Sequence, residues 1–317
     1  MALPQRILVV VDPTADKQPA IERAAWIARA TRSRVELFIC GYERQPLDGY
    51  NLDTAALDKA RTTQLEHQMR RLGDLAKPLL AEGIAVDTEA LWDSPLHEGI
   101  VRKALASKAD LVMKDTHYHS LLRRSIFSNT DWSLIRDCPV PLWLVKPRVA
   151  AAKPRFLAAV DPVHERDKPA ELDHLILKIG AELSSALGGR LDAFHAFDVA
   201  PILAASSGAM AMPLMVPVPE LIDSVRDQHS NAVYELTDGH GLARDVVHIE
   251  AGGTRERLIA LTEQLGADVV VMGAVSRKGL ARVFVGNTAE DVLDRVGCDL
   301  LIVKPPVIAA ALRKMAA

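Results

Sequence analysis

The sequence predicts an α/β protein built from two tandem parallel-sheet domains. Three observations predict it: short β-rich runs alternate with helix-period segments, most of those runs are continuously apolar, and the order of elements occurs twice. Continuously apolar runs suit strands covered on both faces, as in a parallel sheet. The intervening helices supply the cover, because parallel neighbours need a long right-handed crossover. A chain of 317 residues also fits two domains better than one.

In the first half the run Ile7–Val11 is a strand closed by Asp12-Pro13, and Ala20–Arg32 has helical spacing. Val35–Cys40 is the second strand, followed by a long helical segment, Asp53–Ala81. Ile84–Leu91, helix Leu96–Ser107, and strands Leu111–Met113 and Leu142–Val145 complete the half. The second half repeats this with strands Phe156–Val160, Leu191–Phe197, Val246–Glu250, Val269–Met272 and Leu300–Val303. Its helical segments are Ala170–Leu187, Pro219–Thr237 and Arg255–Leu265.

The halves overlay without a gap near their ends. Asp110 meets Asp268, Asn129-Thr130 meets Asn287-Thr288, and Val145-Lys146-Pro147 meets Val303-Lys304-Pro305, each 158 positions apart. Both first strands run into Asp-Pro, at Asp12-Pro13 and Asp161-Pro162. The expected domains are therefore residues 1–148 and 149–317, joined through Arg148 to Pro154.

Composition narrows the function. A formal charge of −3 argues against a protein that coats nucleic acid, which needs a dense basic face, and leaves room only for a local basic patch. Three cysteines, Cys40, Cys138 and Cys298, lack the spacing of a disulfide framework or zinc knuckle, and Cys138 and Cys298 read as buried thiols. No apolar run is long enough to span a membrane, and the N-terminus lacks a signal-like segment, so the expected compartment is the cytoplasm.

The chemistry-bearing loop follows strand Val269–Met272. It holds Gly273, Ser276, Arg277, Lys278 and Gly279, then Gly286-Asn287-Thr288-Ala289-Glu290, with a helix expected to start near Gly286. A helix start offers free N–H groups and a positive dipole end, which suit phosphate. Arg277, Lys278 and Arg282 add charge. The loop matches neither a Walker loop nor a dinucleotide fingerprint. A plain glycine-rich connection with a capped helix explains the spacing equally well.

These residues resemble the universal stress protein family, and in particular its tandem, E-type branch. The resemblance rests on the Asp-Pro after each first strand, on Ala-Asp and an apolar strand into Met272-Gly273, and on Gly286-Asn287-Thr288-Ala289-Glu290. Thr130-Asp131-Trp132 and the closing Val-Lys of each half add to it. It implies five-stranded sheets of order 3-2-1-4-5, like the adenine nucleotide alpha hydrolases, and a tandem chain packed as a pseudo-dimer. It also implies a stress-response role.

ATP-binding members of that family carry G-x2-G-x9-G-(S/T). Here the positions hold Gly273, Ser276 and Gly286, with Asn287 following. The implied site is Asp161, Met272, Gly273, Ser276, Arg277, Lys278, Gly279, Gly286, Asn287 and Thr288, with Asp161 beside base or ribose. Asp161 reads equally as an Asx-turn or cap residue. In the first half the same positions are Asp115, Tyr118, Leu121 and Ser128, so ATP binding there is not expected. Side chains fill the space, and Asp115 would repel phosphate. No positioned general base is evident, so a non-catalytic sensor is expected, with at most weak ATPase activity.

Three other features stand open. His117 and His119 are two apart on a loop and could share a Zn²⁺ with Asp12, Asp115 or Cys40, although solvated loop histidines are commoner. The uncharged, Met- and Pro-rich stretch 199–219 suits either an apolar-ligand or partner groove or a flap over its own core. Trp132 reads as helix packing rather than a ligand contact, and Trp143 as sheet packing. The alternatives to nucleotide sensing are thus a carrier of an apolar or lipid-like molecule and a ligand-free interaction scaffold. Either could be a monomer with an internal pseudo-dimer or a homodimer.

Overall fold

The computed structural model describes residues 3–41, 54–116, 129–163, 171–200, 218–274 and 295–316. The chain divides into two compact units, residues 2–150 with 306–317, and residues 151–305.

The first unit contains β1 (Arg6–Val10), α1 (Pro19–Thr31), β2 (Arg34–Gly41), α2 (Thr54–Ala81), β3 (Val86–Trp92), α3 (Leu96–Ala106), β4 (Leu111–Asp115), α4 (Asn129–Asp137) and β5 (Leu142–Val145). Its strands are all parallel, in the order β3-β2-β1-β4-β5. The second unit contains β6 (Arg155–Ala159), α5 (Glu171–Ala186), β7 (Arg190–Phe197), α6 (Val218–Asp238), β8 (Val247–Ala251), α7 (Thr254–Leu265), β9 (Val269–Gly273) and β10 (Asp299–Val303). Its parallel order is β8-β7-β6-β9-β10, the same 3-2-1-4-5 arrangement. Each sheet is filled by the apolar runs of the sequence, with Phe38 and Trp143 fully buried in one unit and Phe156 and Phe194 in the other.

The 158-residue register has a physical basis. The Asp110 carboxylate accepts hydrogen bonds from the backbone N–H of Gln5 (2.8 Å) and Arg6 (3.0 Å). Asp268 accepts one from Arg155 N–H (2.9 Å). Each aspartate thus accepts from the backbone N–H groups at the start of its unit's first strand, where the carbonyls of Gln5 and Pro154 accept from Arg34 and Arg190 N–H of the neighbouring strand. At the other end Thr116 N–H donates to Val145 O (2.9 Å), and Ala274 N–H donates to Val303 O (2.9 Å). The matched residues hold the two ends of the same frame.

Beyond shifts of one or two residues at several element ends, two boundaries differ from expectation. Strand β4 continues past Met113 through Lys114 and Asp115, both buried. They remain in the strand because Lys114 Nζ pairs with Asp131 (2.8 Å) and Asp115 accepts a backbone hydrogen bond. After β10 the chain forms a further helix, α8 (Pro306–Ala316), which groups with the first unit, not with 149–305, and packs on α3. Pro306 opens that helix, where its missing N–H costs nothing. Among the described residues no helix is long and apolar enough to cross a membrane.

Candidate functional site

In the second unit β6 and β9 lie side by side, and the chain leaves them in opposite directions, to β7 and to β10. Their carboxyl ends therefore border the topological switch point, where open α/β sheets take ligands. Asp161 follows β6, and Met272 and Gly273 end β9, so the fold brings these three expected residues to one rim.

Asp161 is anchored through its backbone. Its N–H donates to the Asp173 carboxylate (3.1 Å), which is buried in the first turn of α5. The Asp161 side chain is 42% exposed and faces His195 Nδ1 at 3.8 Å. Gly273 is needed where it stands: a Cβ there would run into the side chain of Leu172 on α5. The remaining expected residues, Ser276, Arg277, Lys278, Gly279, Gly286, Asn287 and Thr288, lie outside the described residues. So do His117, His119 and residues 201–217.

Behind Asp161 sits a buried histidine pair that spacing alone did not single out. His195 on β7 is 1% exposed, and its Nδ1 lies 3.0 Å from Val160 O. Its Nε2 lies 2.7 Å from Nδ1 of His229 on α6, which is also buried. The rings stack with centroids 5.0 Å apart, and Phe197 stacks on His229 from the end of β7. Thirty-four residues separate the two histidines, so only the crossover from β7 through α6 reveals the pair. An inward position on a strand of known register was the one available signal for His195.

The first unit fills the same rim with its own groups. Asp12 forms an Asx-turn, its carboxylate accepting from Thr14 N–H and Thr14 Oγ1–H, both at 2.6 Å. Gln18 ties that turn down, its Nε2 donating to Asp12 O (2.7 Å) and Ala15 O (2.8 Å). Arg71 of α2 donates to Pro13 O and Ala15 O. Asp115, at the position of Gly273, is 3% exposed and accepts from Ala20 N–H at the start of α1 (2.7 Å). The expected repulsion of phosphate by Asp115 is thereby refined: its carboxylate already serves as the anion at that helix end.

As partners for a metal on the first rim, Asp115 is committed to α1, and Cys40 is a buried thiol. Burial pushes the Cys40 thiol up to about 11, with the Asp93 charge adding to the rise. Among the described residues no group of three His, Cys, Asp or Glu side chains is placed to hold a metal ion. Trp143 is fully buried in β5, as sheet packing requires, and all three cysteines are buried, none of them in a disulfide.

Comparison with known proteins agrees with this architecture. The universal stress protein family profile matches residues 4–146 and again 155–304. Universal stress protein E of Escherichia coli strain K12 is 31% identical over 310 residues, covering 96% of this chain and 95% of that protein. Its counterpart from Salmonella typhi is 32% identical over the same length. Among solved structures, a functionally unknown protein from Pseudomonas aeruginosa PAO1 has a TM-score of 0.74 and 26% identity, covering 99% of this chain and 97% of its own. A universal stress protein from Archaeoglobus fulgidus, 16% identical, shares the fold with a TM-score of 0.67 over 95% of this chain and 98% of its own.

Proposed function

The chain belongs to the universal stress protein family as a tandem member similar to universal stress protein E, and on that premise we propose that it is a non-catalytic, adenine-nucleotide-binding regulator of the stress response. One ATP would bind per chain, in the second unit. The observation that carries this reading is the contrast between Gly273 and Asp115. At one switch point the strand ends without a side chain beside a half-exposed Asp161; at the other a buried carboxylate already occupies the helix start.

In this reading Gly273, Gly286, Asn287 and Thr288 hold phosphate through backbone and side-chain donors. Arg277 and Lys278 neutralise its charge, Asp161 accepts from base or ribose, and Met272, Ser276 and Gly279 line the approach. Neither the loop sequence nor the described rim supplies a general base aimed at a γ-phosphate, so bound ATP would turn over slowly.

Equilibrium titration of the full chain with ATP tests the proposal. We expect one ATP per chain, a loss of at least about tenfold in affinity in Gly286→Val, and wild-type affinity in Ser128→Val. Equal losses in both variants would overturn the one-site reading. A lipid-like mass released from freshly purified protein, with no response to ATP, would replace it with the apolar-carrier alternative.

A further inference from the structure

A second pair of histidines joins α5 to the turn that follows α6. His174, in the first turn of α5, brings its Nδ1 to 2.9 Å from Nε2 of His240, and the ring centroids lie 5.2 Å apart. The backbone holds His240 in its turn, its N–H donating to Thr237 O (3.0 Å). Neither ring is locked in the core: His174 is exposed and His240 half-buried. In the first unit the corresponding elements, α1 and the turn after α2, are joined by an ion pair, Arg29 with Glu82 at 2.6 Å. The second unit puts two imidazoles at that junction. An imidazole, unlike a guanidinium, offers a lone pair when neutral.

The spacing of the two nitrogens suits a shared metal ion. With bonds of about 2.1 Å, two imidazole nitrogens on one ion lie about 3.0 Å apart at a right angle and about 3.4 Å apart at the tetrahedral angle. The observed 2.9 Å needs little adjustment to reach either. Without metal, one facing nitrogen carries a hydrogen and the other accepts it. Metal uptake needs both bare. The hydrogen of the donating ring then moves to that ring's outer nitrogen, a change of tautomer with no net loss of a proton from a neutral pair. Both rings also turn outward, so that the lone pairs meet at the ion. Burial, together with the charge of His174, holds the His240 imidazole below its usual range, which keeps its lone pair available at neutral pH.

The neighbouring charges are mixed. Glu171 lies one turn before His174 in α5, the Glu-x-x-His spacing by which a helix presents a carboxylate and an imidazole to one ion. Asp238, two residues before His240, pairs with Arg244 at 3.6 Å. Lys178, one turn after His174, is the opposing charge, and its exposed ammonium can swing into water. Among the described residues no third His, Cys, Asp or Glu side chain stands in place to complete a set of three. Water therefore fills the remaining positions, and the ion is exchangeable. Imidazole ligands select zinc, nickel and copper over magnesium and calcium.

We propose that His174 and His240 form a two-imidazole site for a divalent transition-metal ion of the zinc, nickel and copper class, which clamps the start of α5 to the turn after α6. The start of α5 also carries Asp173, which holds the backbone of Asp161, and Leu172, which stands beside Gly273. The ion therefore steadies the helix that shapes the second unit's rim, whatever ligand that rim takes.

Titration of the tag-free full chain with ZnCl2 at about pH 7.5 tests the site, with His117→Asn and His119→Asn in the parent so that this other pair does not contribute. Imidazole nitrogen NMR reads each ring of the parent directly and needs no change to the pair itself. The His174 and His240 signals are expected to shift together as one Zn²⁺ binds. His174→Asn and His240→Asn should each lose at least about tenfold in affinity. Zn²⁺ should slow amide hydrogen exchange in α5 of the parent and not in either variant. Unmoved His174 and His240 signals at about 1 mM Zn²⁺, or parental affinity in both variants, would overturn the site. Zn²⁺ on the pair with unchanged exchange in α5 would overturn the clamp.

Discussion

Position 115 and position 273 show how one side chain changes what the same strand end can accept. Gln18, the residue before α1, makes no side-chain cap, so the start of that helix is served from across the sheet by Asp115. Replacing Asp115 with Ala removes an acceptor and a favourable charge from a buried helix end. The first unit should lose about 1–3 kcal/mol in urea unfolding, with Asp115→Asn losing less because it keeps an acceptor oxygen. Equal stability of wild type and Asp115→Ala would show that the carboxylate does not support α1. At Gly273 the constraint is steric, since any Cβ meets Leu172.

At the scale of elements, a single carboxylate ties three strands of the second unit together at their amino-terminal half. Asp192 on β7 is 0% exposed and accepts from the guanidinium of Arg155 on β6 (2.8 and 2.7 Å) and from His248 Nε2 on β8 (3.1 Å). Burial alone would raise this carboxyl. The hydrogen bonds from Arg155 and His248, with the charges of Arg155 and Arg190, outweigh burial and hold it below the usual carboxylate range. A depressed carboxyl stabilises the fold at every pH above its unfolded value, about 3.9, and that stability is lost as pH falls through the lower folded value. Asp192→Asn should therefore weaken the second unit by about 3 kcal/mol at pH 7 and flatten its stability curve below about pH 4. An unchanged acid limb in urea unfolding would remove Asp192 from that account.

The same elements show what periodicity can and cannot convey. Strands β5 and β9 are legible because Leu142–Val145 and Val269–Met272 are apolar without interruption, and burial on both faces demands that. The tail of β4 was not legible, because Lys114 and Asp115 look like a loop until their partners on α4 and α1 are known. His195 and His229 failed for the same reason: a hydrogen bond across 34 residues leaves no local pattern. Gly273 and Asp161 were legible at the switch point because strand order alone determines where it falls.

For the molecule as a whole, the duplication explains the frame but not the ownership of its last helix. Paired aspartates, Asp110 and Asp268, start both sheets, and the paired bonds to Val145 O and Val303 O close them. Helix α8 lies beyond the overlay, and its side chains decide where it packs. Leu312 is buried, Val307 and Met315 are largely exposed, and Arg313 and Lys314 sit in the last turn, where cations suit the dipole. A helix of 11 residues does not hold itself together in water, so its contact with α3 must supply the stability. The buried Leu312 side chain contributes roughly 1.5–3 kcal/mol to that contact. Deleting residues 306–317 should therefore speed amide hydrogen exchange in α3, Leu96–Ala106, and leave α5 and β6 near their wild-type rates. Leu312→Ala should give a smaller effect of the same pattern. Faster exchange in α5 in place of α3 would assign the helix to the second unit, against the division of the chain described above.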